Sequence, residues 1–156
     1  MSGLVGSAGS KSGVIGTTEL DYEEGTFTVT FRFGGEGGSS EGTSTGHYTK
    51  IGGIVHIDFY VSLGSSNVGS GHMNPGVTGL PFFVRKQSGS TGIVRTNDRI
   101  ETAPITARFS QNEKYISFYK HPTSTGTYLS TMTDSSWGTG AGRGIGVTAW
   151  YYCDIN

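Results

Sequence analysis

IVHIDFYVSL, residues 54–63, decides the fold class. Every second side chain is apolar, so that Val55, Ile57, Phe59, Val61 and Leu63 share one face. Successive side chains of an extended chain point to opposite sides of a sheet, and this alternation predicts a strand with one face buried. The other face, Ile54, His56, Asp58, Tyr60 and Ser62, is mixed rather than plainly solvent-seeking. A face of that kind suits a contact between subunits or a shallow binding groove.

The same signal spreads in both directions. Upstream, His47–Ile51 reads as a short strand, and Gly52-Gly53 is a two-residue connection of the type that closes a β-hairpin. Further back, Phe27, Val29, Phe31 and Phe33 alternate with Thr26, Thr28, Thr30 and Arg32, which predicts a strand over Thr26–Phe33 after an acidic approach at 17–25. Residues 34–46, rich in Gly, Ser, Thr and Glu, read as a long loop. Downstream, Val77–Val84 contains Pro81, which confines it to a sheet edge or strand end. Shorter strands are predicted at Gly92–Thr96, Ile105–Ser110, Tyr115–Tyr119 and Thr127–Met132. The last strand, Ile145–Ile155, sets Ile145, Val147, Ala149, Tyr151, Cys153 and Ile155 against Thr148, Trp150 and Tyr152. Bulky residues on both its faces imply cover on both sides, the second supplied by another subunit.

Composition agrees. The chain has 156 residues, 27 glycines, 12% aromatic and only 15% charged residues, a balance that favours pleated sheet over helix. The expected architecture is an all-β, antiparallel β-sandwich of jelly-roll type, one domain over 17–156, with an extended N-terminal arm at 1–16. The net charge of −1 and the lack of a basic stripe argue against nucleic acid. Arg85, Lys86, Arg95 and Arg99 read as a solvated connection. No apolar run reaches the roughly 20 residues of a membrane-spanning helix, so no membrane insertion is expected. No signal peptide is visible, and the lone Cys153 suits assembly in a reducing cytoplasm.

The arm, MSGLVGSAGSKSGVIG, is Gly- and Ser-rich but carries two aliphatic pairs, Leu4-Val5 and Val14-Ile15. A simple tether has no use for such pairs, whereas a peptide that docks in shallow grooves on a partner does.

Four phrases carry a family resemblance: Asp21-Tyr22-Glu23-Glu24-Gly25-Thr26-Phe27-Thr28, Phe33-Gly34-Gly35, Gly46-His47-Tyr48-Thr49-Lys50-Ile51-Gly52, and Gly79-Leu80-Pro81-Phe82. Over residues 20–84 the chain resembles the β-rich C-terminal module of bacteriophage tail fibres and related virion surface proteins. There, an acidic entry precedes a strand, and a Y-T-K-I-G turn and a G-L-P-F segment follow. Val29 stands where that family commonly has proline, and a 16-residue arm precedes the module in place of a long shaft. The resemblance implies a non-catalytic, homotrimeric module on the virion surface. The missing shaft shifts the expectation to a capsid-decorating or cement protein, or a short head spike, held by its arm to the major capsid protein or another virion protein. The alternatives are a fibre tip that recognises a host surface glycan and, with less support, a polysaccharide-degrading enzyme.

Candidate residues follow from these readings. Leu4, Val5, Val14 and Ile15 are assigned to docking, and His56, Tyr60, Trp150 and Tyr152 to a subunit interface. Tyr128 and Trp137 are the candidates for stacking on a sugar ring. The run Gly138–Gly144 precedes a strand rather than a helix and lacks a closing Lys-Ser/Thr, so it does not read as a phosphate loop. The histidines are scattered, no carboxylate pair is singled out, and no nucleophile elbow occurs. No catalytic residue, metal site or cofactor is therefore assigned.

Overall fold

The computed structural model describes residues 21–33, 39–63, 75–85, 91–96, 105–120, 130–131 and 143–154, and these are strands and their connections, without a helix. The strands are β1 (Tyr22–Phe33), β2 (Ser39–Ile51), β3 (Ile54–Ser62), β4 (Gly76–Thr78), β5 (Thr91–Thr96), β6 (Ile105–Phe109), β7 (Tyr115–Lys120), β8 (Ser130–Thr131) and β9 (Gly144–Tyr152). Every ladder is antiparallel.

The strands form one sheet in the order β5-β9-β3-β2-β1-β4-β7-β6, with β8 added on β7. The sheet curls nearly to closure, bringing its two end strands, β5 and β6, side by side. The all-β, antiparallel expectation holds. The finer one, two packed sheets of a jelly roll, is not confirmed, because one continuous ladder links β5 to β6. A sheet that curls on itself buries its apolar face without a second sheet and leaves few edges open.

The buried face is the one the alternation predicts. Phe27, Val29, Phe31 and Phe33 of β1 meet Val55, Ile57, Phe59 and Val61 of β3 and Ile145, Val147, Ala149 and Tyr151 of β9 inside the curl. Aromatic contacts reach across it: Phe31 stacks with Phe118 of β7 at 6.2 Å, and Phe109 of β6 stacks with Tyr151 at 5.3 Å. Offset and edge contacts of this kind add to the stabilisation by burial alone. Cys153 is buried, and desolvation pushes its thiol pKa up.

β1 begins at Tyr22 rather than Thr26, and two further segments depart more from the sequence reading. Residues 39–46, predicted as loop, extend β2 to Ser39 and pair with β1 from Phe27↔Gly46 to Phe33↔Ser39 across a bulge at Phe31/Arg32. Gly42 and Gly46 belong to this strand because there is no room for a side chain. A Cβ on Gly42 would overlap the Ser62 carbonyl oxygen, and one on Gly46 would lie 2.6 Å from the Phe27 ring. Conversely, the predicted strand Val77–Val84 stops at Thr78, since Gly79 turns the backbone with φ +96° and Pro81 lacks an N–H.

The register also gives the curl two ends. At one end lie Phe33, Ser39, Leu63, Gly76, Thr96, Ile105, Lys120 and Gly144. At the other lie Asp21, the Gly52-Gly53 turn, the segment 79–85, the turn 110–114 and Asp154. The Gly52-Gly53 hairpin is formed as predicted, with Gly52 at φ +57°.

Candidate functional site on the outer face

Alternation that buries one face of β3 and β9 exposes the other. The register aligns Tyr152, Ile54, Ile51 and Tyr22 in a single row across β9, β3, β2 and β1. These four are 41%, 46%, 47% and 53% exposed, and Trp150, one step along β9, is 54% exposed. Trp150 pairs with His56, ring on edge at 5.6 Å. Five large apolar side chains thus form a continuous patch at the end of the sheet where the chain enters. Single exposed apolar residues are ordinary on a protein surface; a contiguous group marks a contact surface.

The entry itself is anchored. Lys50, on the inner face of β2 and 4% exposed, holds Asp21 Oδ2 at 2.8 Å and lies 5.6 Å from the centre of the Phe82 ring. The Asp21 carbonyl also accepts a hydrogen bond from Gly52 N at 2.7 Å. The Asp21 carboxylate raises the Lys50 pKa, against the opposing effect of burial. The point where residues 1–20 join the sheet is therefore tied to the β2–β3 turn by both backbone and side chain.

Farther along the same outer face the chemistry changes. Thr148 of β9 donates a hydrogen bond to Asp58 Oδ2 of β3 at 2.5 Å. The Arg95 guanidinium of β5 sits 6.0 Å from the centre of the Tyr60 ring. Asp58, Tyr60, Ile93, Arg95, Gly146 and Thr148 line a depression of about 390 Å³. Arg95 lies in β5, as the predicted strand Gly92–Thr96 has it rather than as part of a solvated basic connection, and its outward direction follows from the pairing Arg95↔Gly146.

Of the residues singled out from sequence, His56, Tyr60, Trp150 and Tyr152 all lie on this outer face. His56 and Trp150 touch, Tyr152 belongs to the apolar row, and Tyr60 belongs to the depression. Leu4, Val5, Val14, Ile15, Tyr128 and Trp137 lie outside the described residues. Sequence reasoning missed Ile51 and Tyr22. The first was within reach, because the residues flanking a two-residue hairpin turn pair on one face, so Ile51 must join Ile54. The second required β1 to begin at Tyr22 rather than Thr26. Among the described residues, no group of three His, Cys, Asp or Glu side chains is placed to hold a metal ion.

No protein-family model matches the chain, and no curated protein matches its sequence. The likeness to the tail-fibre module rests on the four quoted phrases alone.

Proposed function

We propose that this chain is a non-enzymatic structural protein of a bacteriophage particle, displayed on the virion surface as a homotrimer and held there by residues 1–16. In this reading it decorates or cements a capsid, or forms a short head spike, with the major capsid protein or another virion protein as its anchor. The observation that carries the reading is the polarity of the curl. The anchored entry at Asp21 and the exposed row Tyr22, Ile51, Ile54 and Tyr152 share one end, and Phe33, Leu63, Thr96 and Gly144 lie at the other.

Such polarity suits a molecule attached at one end and displayed at the other. An arm pulled by the particle would transmit load through Asp21 into the β2–β3 turn rather than peel β1 from the sheet. The exposed row beside it gives copies an apolar surface on which to pack, and three arms held together bind far more tightly than one. Leu4, Val5, Val14 and Ile15 supply the docking groups.

The test is deletion of residues 1–16, followed by sedimentation with phage particles and, separately, analytical ultracentrifugation. The reading expects a folded trimer that no longer pellets with particles. A monomeric full-length chain, or particle occupancy unaffected by the deletion, would overturn it.

A further inference from the structure

The depression on the outer face is built from side chains that hold one another in place. Tyr60 extends from β3 over β9 where that strand carries glycine. A Cβ on Gly144 would overlap the Tyr60 hydroxyl, and one on Gly146 would lie 3.4 Å from Tyr60 Cδ2 and 3.9 Å from the Arg95 Cβ. The absence of side chains at these two positions gives the ring its seat and leaves the backbone of β9 as a floor between Tyr60 and Arg95. Tyr60 remains 41% exposed in that seat, and Ile93, 76% exposed, forms the opposite rim. The Asp58 carboxylate is oriented by Thr148 at 2.5 Å, which uses one of the roughly four acceptor positions of a carboxylate.

We propose that this depression binds a neutral pyranose saccharide. A pyranose has an apolar face of C–H groups and a rim of hydroxyls that both donate and accept. The Tyr60 ring matches the first. The Asp58 carboxylate and the Arg95 guanidinium, one acceptor and one fork of donors, match the second. Their charges balance, which disfavours ionic ligands: an anion meets Asp58 and a cation meets Arg95. A second copy of the chain is also a poor occupant, because covering both charges with protein desolvates them. The apolar row from Tyr22 to Tyr152 carries no such penalty, and it lies two register steps away along β3, from Ile54 to Asp58. At about 390 Å³ the depression has the size of a small ligand site, within the range of about 300–1,000 Å³. This inference is independent of the virion assignment, since it concerns the isolated chain.

The experiment titrates the full-length chain with the methyl glycosides of glucose, galactose, mannose and N-acetylglucosamine, following backbone amide resonances. Glucuronic acid and glucosamine serve as anionic and cationic comparisons. At least one neutral glycoside is expected to shift the amides of Ile93, Gly146 and Thr148 saturably, and to bind more tightly than either charged sugar. Tyr60→Ala should weaken that binding about tenfold or more, as loss of one aromatic contact of about 1.4 kcal/mol would. Gly146→Val, which fills the floor and keeps the Tyr60 ring, should do the same, and it stands as the test if Tyr60→Ala does not fold. A second arm uses purified bacterial surface polysaccharide, and competition by the free glycoside shows whether both occupy one site. Lack of any saturable shift with all four neutral glycosides overturns the inference. So does binding that Gly146→Val leaves intact, or a preference for either charged sugar.

Discussion

The two faces of β3 are made by the same nine residues and have opposite fates. On the inside, Val55, Ile57, Phe59 and Val61 are 0–4% exposed; on the outside, Ile54 and Tyr60 are 46% and 41% exposed although they are as large. The same contrast repeats on β9, where Tyr151 is buried and its neighbours Trp150 and Tyr152 are not. Burial stabilises by roughly 25 cal/mol for each Å² of apolar surface removed from water. The inner residues therefore do the work of folding, and the outer ones contribute little of it. The outer apolar side chains answer to something other than the stability of this chain.

The largest effect that tests this division is Ile57→Ala. Ile57 is fully buried and lies opposite Ala149 in the β3–β9 ladder. Truncation loses transfer energy and leaves a cavity, together costing about 2–5 kcal/mol. Chemical denaturation should show the midpoint falling accordingly. A loss under about 1 kcal/mol would mean that the inner face repacks freely, and the contrast between faces would weaken.

Gly42→Ala comes next and probes the inner face from the opposite direction, by adding rather than removing an atom. The new Cβ would overlap the Ser62 carbonyl oxygen, which is backbone and cannot swing aside. Overpacking of this kind costs about 1–3 kcal/mol. Thermal unfolding would read it, and an unchanged melting temperature would show that β2 and β3 can separate at no cost.

Gly42 also shows where the sequence stopped being legible. The alternations of β1, β3 and β9 announce strands because their inner positions are Phe, Val and Ile. Over 39–46 the inner positions of β2 include Gly42 and Gly46, which are small because Ser62 and Phe27 already occupy the space. A strand whose inward residues are deleted to admit its neighbours looks like a loop until the neighbours are known. Strand order is hidden for a related reason: nothing local to β5 or β6 reports that the curl brings them together. The outer face was half legible. His56, Tyr60, Trp150 and Tyr152 follow from parity alone, but Asp58, Arg95 and Thr148 become a site only through the pairings Asp58↔Thr148 and Arg95↔Gly146.

A smaller effect belongs to Tyr151, whose hydroxyl is a polar group on the inner face. Its hydroxyl donates to the Phe82 carbonyl and accepts from Phe82 N, both at 3.2 Å. Tyr151→Phe removes both and should cost about 1–2 kcal/mol, the net value of two such contacts. Burial pushes the Tyr151 pKa well above its ordinary value of 10.0, because the phenolate is poorly solvated inside. A group whose pKa rises on folding contributes stability that is complete below its unfolded pKa and is lost as pH climbs toward the folded one. Lys50, raised by Asp21, adds to the same trend. Wild-type melting temperature should therefore fall as pH rises from about 10 toward about 12, and Tyr151→Phe should fall less steeply. Parallel curves would place the alkaline loss elsewhere.

The smallest change expected on stability is that of Ile54→Ala, on the outer face. Ile54 is three residues from Ile57 on the same strand and lies opposite Tyr152 and Ile51 in the exposed row. Removing the same atoms from it should alter the unfolding free energy of the isolated fold by no more than about 0.5 kcal/mol. If copies pack on that row, the loss reappears in association instead: sedimentation of Ile54→Ala should shift toward monomer at concentrations where the wild type stays assembled, while its spectrum of folded amides is kept. A variant as destabilised as Ile57→Ala would show that the outer face is covered by this chain itself. A variant with unchanged stability and unchanged association would leave the exposed row without a partner among copies of the chain, and would direct the search to the particle on which the proposed docking residues act.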